Sequence, residues 1–396
     1  RVLYEAREEI AVPLLMIYKK SLASGKLPDD WKIADVVALY KKGSRSDVGN
    51  YRPVSLTSIC CKIMESLLRD HIMQHLLANK LLNNSQYGFV KGRSTMLQLL
   101  HMLDKWTECL EQGGQIDAIY TDFEKAFDKV PHKRLLSKLK SYGLSEITIN
   151  WIKDFLHDRK QRVKVNGNYS KWGRVPSGIP QGSVLGPLLF LIFINDLAEF
   201  CRKDSEFYLF ADDAKLFKYV KVESDCEKLQ SNLEGLQEWS DKWLLRLNSK
   251  KCKVISFGRQ INIKHVYKLK DKDQMHDLER VETITDLGVN LDTKLSFSDH
   301  IQAKINKAYS MIGLIKRNFS SLSVSSFVML YKSMVRSHLD YCNSVWAPYK
   351  KCDVEDLEKV QRRATKILPA LKKLTYADRL KRCGLPTLSY RRVRET

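Results

Sequence analysis

Leu209-Phe210-Ala211-Asp212-Asp213-Ala214 is an apolar run that stops at two adjacent carboxylates, and Ala118-Ile119-Tyr120-Thr121-Asp122 is a second apolar run that ends in one. An ionised aspartate at the edge of a buried strand is costly unless a cation compensates it, and two neighbouring ones also repel each other. A pair of divalent metals supplies that compensation. Hard cations such as Mg2+ prefer carboxylate oxygens plus substrate phosphates, and two of them about 3.5–4 Å apart clamp the attacking and leaving oxygens of a phosphoryl transfer. Asp122, Asp212 and Asp213 therefore read as a nucleotidyl-transfer centre.

Around this centre the chain is strongly basic. Of its 396 residues 67 are Lys or Arg and 46 Asp or Glu, a net charge of +21, which points to a polyanionic partner, nucleic acid first. The basic residues cluster: residues 341–396 carry a net +8, whereas Asp117, Asp122, Glu124 and Asp128 make an acidic neighbourhood. The nine cysteines form no Cys-x-x-Cys pair and read as reduced intracellular thiols. No stretch of 18 apolar residues occurs, so no membrane span is expected. The chain opens at Arg1 in a helical pattern without an initiator Met, and reads as a piece of a longer product.

Apolar spacing predicts a helix over residues 3–24 stopped by Gly25, a strand from Ile33 to Tyr40, and helices over about Ser58–Lys80 and Ser94–Glu111. A buried strand follows from Ile116 to Asp122, then a helix started by Pro131 and another over Glu146–Asp158. Asn166-Gly167 after an alternating segment marks a hairpin. Phe207–Ala211 and Ala214–Tyr219 read as paired strands that put Asp212 and Asp213 at an exposed tip. A helix over about Ser224–Leu245, a strand Lys253–Phe257, a short strand near Leu287-Gly288-Val289 and a helical, basic segment from Asp299 onward complete the reading.

The order and spacing of three further segments settle the class. Phe127 follows Asp122 by five residues, Ser177-Gly178-Ile179-Pro180-Gln181-Gly182-Ser183 comes next, and Phe210-Ala211-Asp212-Asp213 last. Together they resemble the palm motifs of reverse transcriptases. Tyr51-Arg52-Pro53, Gln86-Tyr87-Gly88-Phe89-Val90-Lys91-Gly92-Arg93-Ser94-Thr95 and Phe193-Ile194-Asn195-Asp196-Leu197 are similar to non-LTR (LINE-type) retrotransposon polymerases, in particular the jockey and chicken-repeat groups. The match covers about residues 25–295. It departs from the common pattern where Phe210 replaces tyrosine before Ala-Asp-Asp.

The resemblance implies an α+β, right-hand polymerase fold: residues 1–115 as fingers and an N-terminal helical region, 116–295 as a palm with an antiparallel sheet and interleaved fingers elements, and 296–396 as a helical basic thumb. It implies RNA-directed DNA synthesis with two Mg2+, Mn2+ being the alternative, held by Asp122, Asp212, Asp213 and the Phe123 carbonyl. Phe127 would be the steric gate that selects dNTPs. Lys41, Lys42 and Arg52 would hold the triphosphate and Lys251, with Lys253 as competitor, the leaving pyrophosphate. Pro180, Gln181 and Gly182 would lie beneath the nascent pair. Gly88, Lys91, Gly92 and Arg93 would track the template backbone, Leu287-Gly288 would position the primer terminus, and Arg362 and Arg363, with Lys366, Lys372 and Lys373, would grip the duplex.

The expected partners are an RNA template, a DNA primer or target and dNTPs, with no membrane. An apurinic-type endonuclease is expected upstream in a full-length product, outside these residues. The expected location is intracellular, in the nucleus at the site of integration and also in the cytoplasm. Two rival readings stand beside this one: a catalytically inactive, retrotransposon-derived RNA-binding relic, and a polymerase of another lineage such as an intron-encoded maturase or a telomerase subunit.

Overall fold

The computed structural model describes residues 2–201, 204–271 and 274–395. Its centre is a five-stranded sheet in the order Glu279–Arg280, Lys253–Phe257, Gln115–Thr121, Asp213–Val220, Glu206–Phe210. The central strand, Gln115–Thr121, is buried on both faces although Gln115, Asp117 and Thr121 are polar. Its alternation sends side chains to two different cores. Ile119 packs with the helices Ile59–Ala78, His132–Ser141, Glu146–Leu156, Gly186–Ile194 and Glu223–Trp243, while Ile116 and Ala118 join Thr95–Glu111 and the C-terminal helices. Asp117, fully buried between them, is satisfied by Ser256 Oγ at 2.6 Å, Gln115 Nε2 at 2.9 Å and Tyr267 Oη at 3.0 Å.

A second sheet joins Tyr51–Leu56, Ile33–Tyr40 and Lys160–Val165, extended by Asn168–Tyr169 and Gly173–Arg174. Ile33–Tyr40 pairs antiparallel with Tyr51–Leu56 and parallel with Lys160–Val165, so residues 160–174 return from the middle of the chain to complete an N-terminal sheet. The Asn166-Gly167 turn lies where the sequence places it, with both φ angles positive.

The helix starts follow their caps. Ser58 Oγ accepts from Cys61 N and Ser94 Oγ from Leu97 N, and Gly25, at φ 64°, ends the helix Arg7–Ser24. Gly186–Ile194 is apolar all round and buried at every position but Pro187, which its helical period alone did not disclose. Beside it Asn195 and Asp196 tie elements together: Asn195 Nδ2 donates to Leu81 O, and Asp196 Oδ1 accepts from Trp239 Nε1 and the buried Lys138. No helix among the described residues is long and apolar enough to cross a membrane.

One difference from the sequence reading concerns the end of the central unit. The strand expected near Leu287-Gly288-Val289 is instead the turn of a hairpin, Thr283–Asp286 with Val289–Asp292, because Leu287 and Gly288 adopt positive φ and cannot continue a strand. Across 115/116 and 295/296 the apolar packing is continuous. Thr95–Glu111 and the 283–292 hairpin share their apolar packing with Ser298–Asn318 and Lys351–Thr365, so the helical C-terminal region is continuous with the back face of the sheet.

Candidate active site

Thr121 pairs with Ala214 in an antiparallel register. One step further, that register sets Asp122 opposite Asp213, while Asp212 occupies the two-residue turn between Phe210 and Asp213. Two distant pieces of chain thus deliver three carboxylates to one end of one sheet. Burial followed by its neighbours Asp212, Asp286 and Asp122 pushes Asp213 from 3.8 up to about 6, against the pull of Lys215. Its side chain still reaches solvent at the tip of the hairpin, so water moderates the crowding. Burial and Asp122 raise Asp212 as well, opposed by its own backbone hydrogen bond and by Lys41 and Arg52.

Asp122 is fixed by its backbone. Its carbonyl accepts from Asn248 N at 2.7 Å and Glu124 N donates to Arg246 O at 2.9 Å, so Phe123 and Leu247 form an antiparallel bridge. In such a bridge the Phe123 carbonyl faces away from the 246–248 segment. It also carries Lys251 Nζ to 3.0 Å from Asp122 Oδ2, an oxygen that accepts no hydrogen bond of good geometry among the described residues. Lys253 points elsewhere and pairs with Glu279. Of the two, Lys251 is the one that lies beside the carboxylates. Crowded carboxylates, an oxygen in want of a donor and an all-oxygen ligand set fit hard divalent cations.

The turn itself is strained and held. Ala211 has φ 55°, an uncommon value for a residue with a Cβ. Residues 85–87 lie alongside Leu209 as a short parallel pairing, with Leu209 N donating to Ser85 O and Tyr87 N to Leu209 O. From there the buried Gln86 clamps the turn: its Oε1 accepts from Ala211 N at 2.9 Å and Gly88 N at 2.7 Å, and its Nε2 reaches Ala211 O at 3.4 Å. Gly88 abuts the same turn, since a Cβ there would stand 2.3 Å from Ala211 N.

These contacts show how the expected template loop is held. Gly88 spaces the turn between Phe210 and Asp213. Arg93 is committed to Asn84 O and Gln86 O, both at 2.5 Å, and stacks over Tyr87. Lys91 and Gly92 remain exposed, and a Cβ on Gly92 would meet nothing within 4 Å.

The Pro180-Gln181-Gly182 loop is buttressed from three sides. Ser55 N donates to Gln181 O at 2.7 Å, Gln181 Nε2 donates to Asp128 Oδ1 at 2.9 Å, and Gly182, at φ 114°, sits so close that a Cβ would lie 2.5 Å from Ser55 O. Glu65, fully buried, accepts from Ser183 Oγ, Val184 N and Leu185 N at 2.5–3.0 Å and so anchors the start of Gly186–Ile194. Sequence reading passed over Glu65. The available signal was a charge beside the buried stripe Cys61, Met64, Leu68, Ile72, Leu76.

Phe127, half-buried, stacks on Phe190 with centroids 4.4 Å apart. Lys41 and Arg52 are exposed on the second sheet and its edge, within electrostatic reach of Asp212; Lys42 is exposed in the adjoining loop. Arg362 and Arg363 project from Lys351–Thr365 over the Tyr376 and Tyr309 rings and keep their charge at the surface. One Cys/His/carboxylate group among the described residues, Glu223, Cys226 and His265, has its ligand atoms within 4.8 Å of one another, but His265 Nδ1 is engaged by Glu223 at 2.5 Å and the Cys226 thiol by Tyr267.

Residues 39–291 match the family model described as reverse transcriptase (RNA-dependent DNA polymerase). The chain is 30% identical over 360 residues to the RNA-directed DNA polymerase from mobile element jockey of Drosophila melanogaster, covering 88% of this chain and 39% of that protein. It is 26% identical over 374 residues to the probable RNA-directed DNA polymerase from transposon BS of the same organism, covering 90% and 40%. The chain thus spans about two fifths of the length of these relatives. Among solved structures, telomerase from Candida albicans in complex with a TWJ fragment of telomeric RNA superimposes with a TM-score of 0.51 at 11% identity, over 94% of this chain and 70% of that one, a likeness of fold alone.

Proposed function

The chain belongs to the reverse transcriptase (RNA-dependent DNA polymerase) family, and from that premise we propose that it extends a DNA primer on an RNA template, as part of a LINE-type retrotransposon product. The right-hand fold and the jockey-type resemblance expected from the motifs are borne out. Reverse transcriptases depend on divalent metal. Here Asp122, Asp212, Asp213 and the Phe123 carbonyl would hold two Mg2+, or Mn2+, which when bound supply charge neutralisation at the attacking 3′-hydroxyl and the leaving pyrophosphate.

The chain's own residues do the positioning. Lys41 and Arg52 draw the triphosphate to the carboxylate end of the sheet, and Lys251 waits at Asp122 to take up charge released with the pyrophosphate. Phe127, held flat by Phe190, would fill the space of a 2′-hydroxyl, and the buttressed Gln181–Gly182 backbone would support the nascent pair. Lys91, Arg362 and Arg363 offer exposed charge to the phosphate backbones. Nuclear action at the integration site, with cytoplasmic synthesis, belongs to the same proposal.

The observation that carries the reading is the delivery of three mutually repelling carboxylates to one sheet end beside Lys251. Extension of oligo(dT) on poly(rA) with Mg2+ or Mn2+ tests it. Parent activity with loss in Asp212→Asn and Asp213→Asn, RNA binding being kept, is expected; an inert parent in both metals would favour the RNA-binding relic.

A further inference from the structure

The turn Leu287-Gly288 is built in an unfavourable conformation. Leu287 has φ 45° and Gly288 φ 87°, a two-residue hairpin turn whose first position ordinarily selects Asn, Asp or Gly. A leucine persists there only where the surroundings over-determine the backbone.

The surroundings hold it from two sides. On one, Asp286 Oδ2 accepts from Lys215 Nζ at 2.5 Å and from Tyr120 Oη at 3.0 Å, and the Lys215 and Asp286 side chains are each only 5% exposed. Tyr120 and Lys215 are cross-strand partners, two residues before Asp122 and two after Asp213. On the other side Tyr341 Oη lies 2.7 Å from Leu287 O and 3.2 Å from Thr95 Oγ1, and Lys304 Nζ donates to Gly288 O at 3.1 Å. A Cβ on Gly288 would lie 3.1 Å from the Tyr341 ring, so turn and ring are already in contact.

A buried ion pair is a poor way to gain stability, because desolvating two charges offsets most of their attraction and an apolar pair of similar volume packs at least as well. Its directionality is what an apolar pair lacks. Lys215 belongs to the strand that begins at Asp213, and Asp286 is the residue immediately before the turn. We propose that the Lys215–Asp286 pair, braced by Tyr120, is a positioning device that fixes the Leu287–Gly288 turn against the catalytic hairpin and thereby sets the primer terminus in line with Asp122, Asp212 and Asp213. This rests on the polymerase reading above.

Lys215→Met or Asp286→Leu alone leaves an uncompensated buried charge and lowers the melting temperature. The informative variant is Lys215→Met/Asp286→Leu, which removes a neutral pair and leaves the summed charge beside Asp213 unchanged. On poly(rA)–oligo(dT) it is expected to melt within a few degrees of the parent, to bind primer–template within threefold, to keep its KM for dTTP, and to lose tenfold or more in kcat. A folded double variant with kcat within threefold of the parent overturns the proposal. If the double variant does not fold, Tyr120→Phe removes one brace and no charge: a several-fold loss of kcat at unchanged melting temperature supports the device, and an unchanged kcat overturns it. If the parent itself extends no primer, the polymerase reading fails, and the latch is judged by hydrogen exchange. Faster exchange confined to the 283–292 hairpin in the double variant, or in Tyr120→Phe where the double variant does not fold, supports it, and equal protection overturns it.

Discussion

Gly88→Ala separates two accounts of the Gln86-Tyr87-Gly88 segment. The glycine is not in a left-handed conformation, so alanine costs nothing in backbone freedom there, and the effect must come from contact. The added Cβ would stand 2.3 Å from Ala211 N, 3.0 Å from the Phe210 carbonyl carbon and 3.1 Å from Ala211 Cα. All three are backbone atoms, and ordinary contact needs about 3.5 Å. The catalytic turn must therefore retreat by about 1 Å, and a misplacement of that size costs about 100-fold in rate, or about 2.7 kcal/mol of barrier. Single-nucleotide addition to poly(rA)–oligo(dT) should show this as a fall in kcat, with anisotropy reporting unchanged template affinity. Gly113→Ala is the control: its φ is 74° and nothing lies within 4 Å, so it should cost about 1–2 kcal/mol of stability and no catalysis. A Gly88→Ala enzyme whose kcat stays within threefold of the parent, or whose defect lies in template affinity alone, refutes the spacing argument and restores Gly88 to the template loop.

Three further outcomes follow from the site. Burial and neighbouring carboxylates push Asp213 from 3.8 up to about 6, so its own contribution to metal-free stability falls as pH rises from about 4 through 6 and levels off above, while His300, pushed down to about 4 by burial, contributes in the opposite sense over the same range; in EDTA the Asp213 part is read as the pH dependence of the difference in melting temperature between parent and Asp213→Asn, and Mg2+ should stabilise the parent more at pH 7.5 than at pH 5, whereas a pH-independent difference and Mg2+ effect contradict the assignment. Lys251→Met removes, beside Asp122, the charge expected to meet the leaving pyrophosphate; a charge-assisted contact of that kind, worth about 1.5–3 kcal/mol, corresponds to about ten- to a hundredfold in kcat, while Lys253→Met, whose partner is Glu279, should cost less than threefold; equal effects would undo the proposed role of Lys251. Phe127→Ala should admit rNTPs, and primer extension with an unchanged dNTP preference would remove the gate role.

How much of this was readable in the chain depends on the range over which each feature is encoded. The three aspartates announce themselves because each ends an apolar run, a pattern that lies within a few residues. Strand Ile33–Tyr40, the Ser58 and Ser94 caps and the Asn166-Gly167 hairpin are local in the same way. That Lys251 rather than Lys253 lies beside Asp122 was not readable, since it depends on the bridge between Phe123 and Leu247 across more than a hundred residues. Gln86 was visible only as part of a motif, and its hold on Ala211 exists because residues 85–87 pair with Leu209. Arg93 was legible only as a charge; that its guanidinium donates to carbonyls seven and nine residues earlier depends on the folded loop. The strand near Leu287-Gly288-Val289 begins only at Val289, because the positive-φ turn before it is held by tertiary contacts, such as Tyr341 Oη to Leu287 O, that no local pattern encodes.

The two-sided burial of Gln115–Thr121 has a consequence for how this molecule fails. Ile119 seals the compartment that includes the helices Ile59–Ala78 and Gly186–Ile194, and Ile116 and Ala118 seal the one that includes the C-terminal helices. A single strand is thus a wall common to both, and Asp122 is its last brick. Melting either compartment strips one face of that wall, so catalysis is expected to vanish at the first cooperative transition, whichever half gives way. A copy drifting by mutation would therefore lose its chemistry through damage in either core well before any of its aspartates changed.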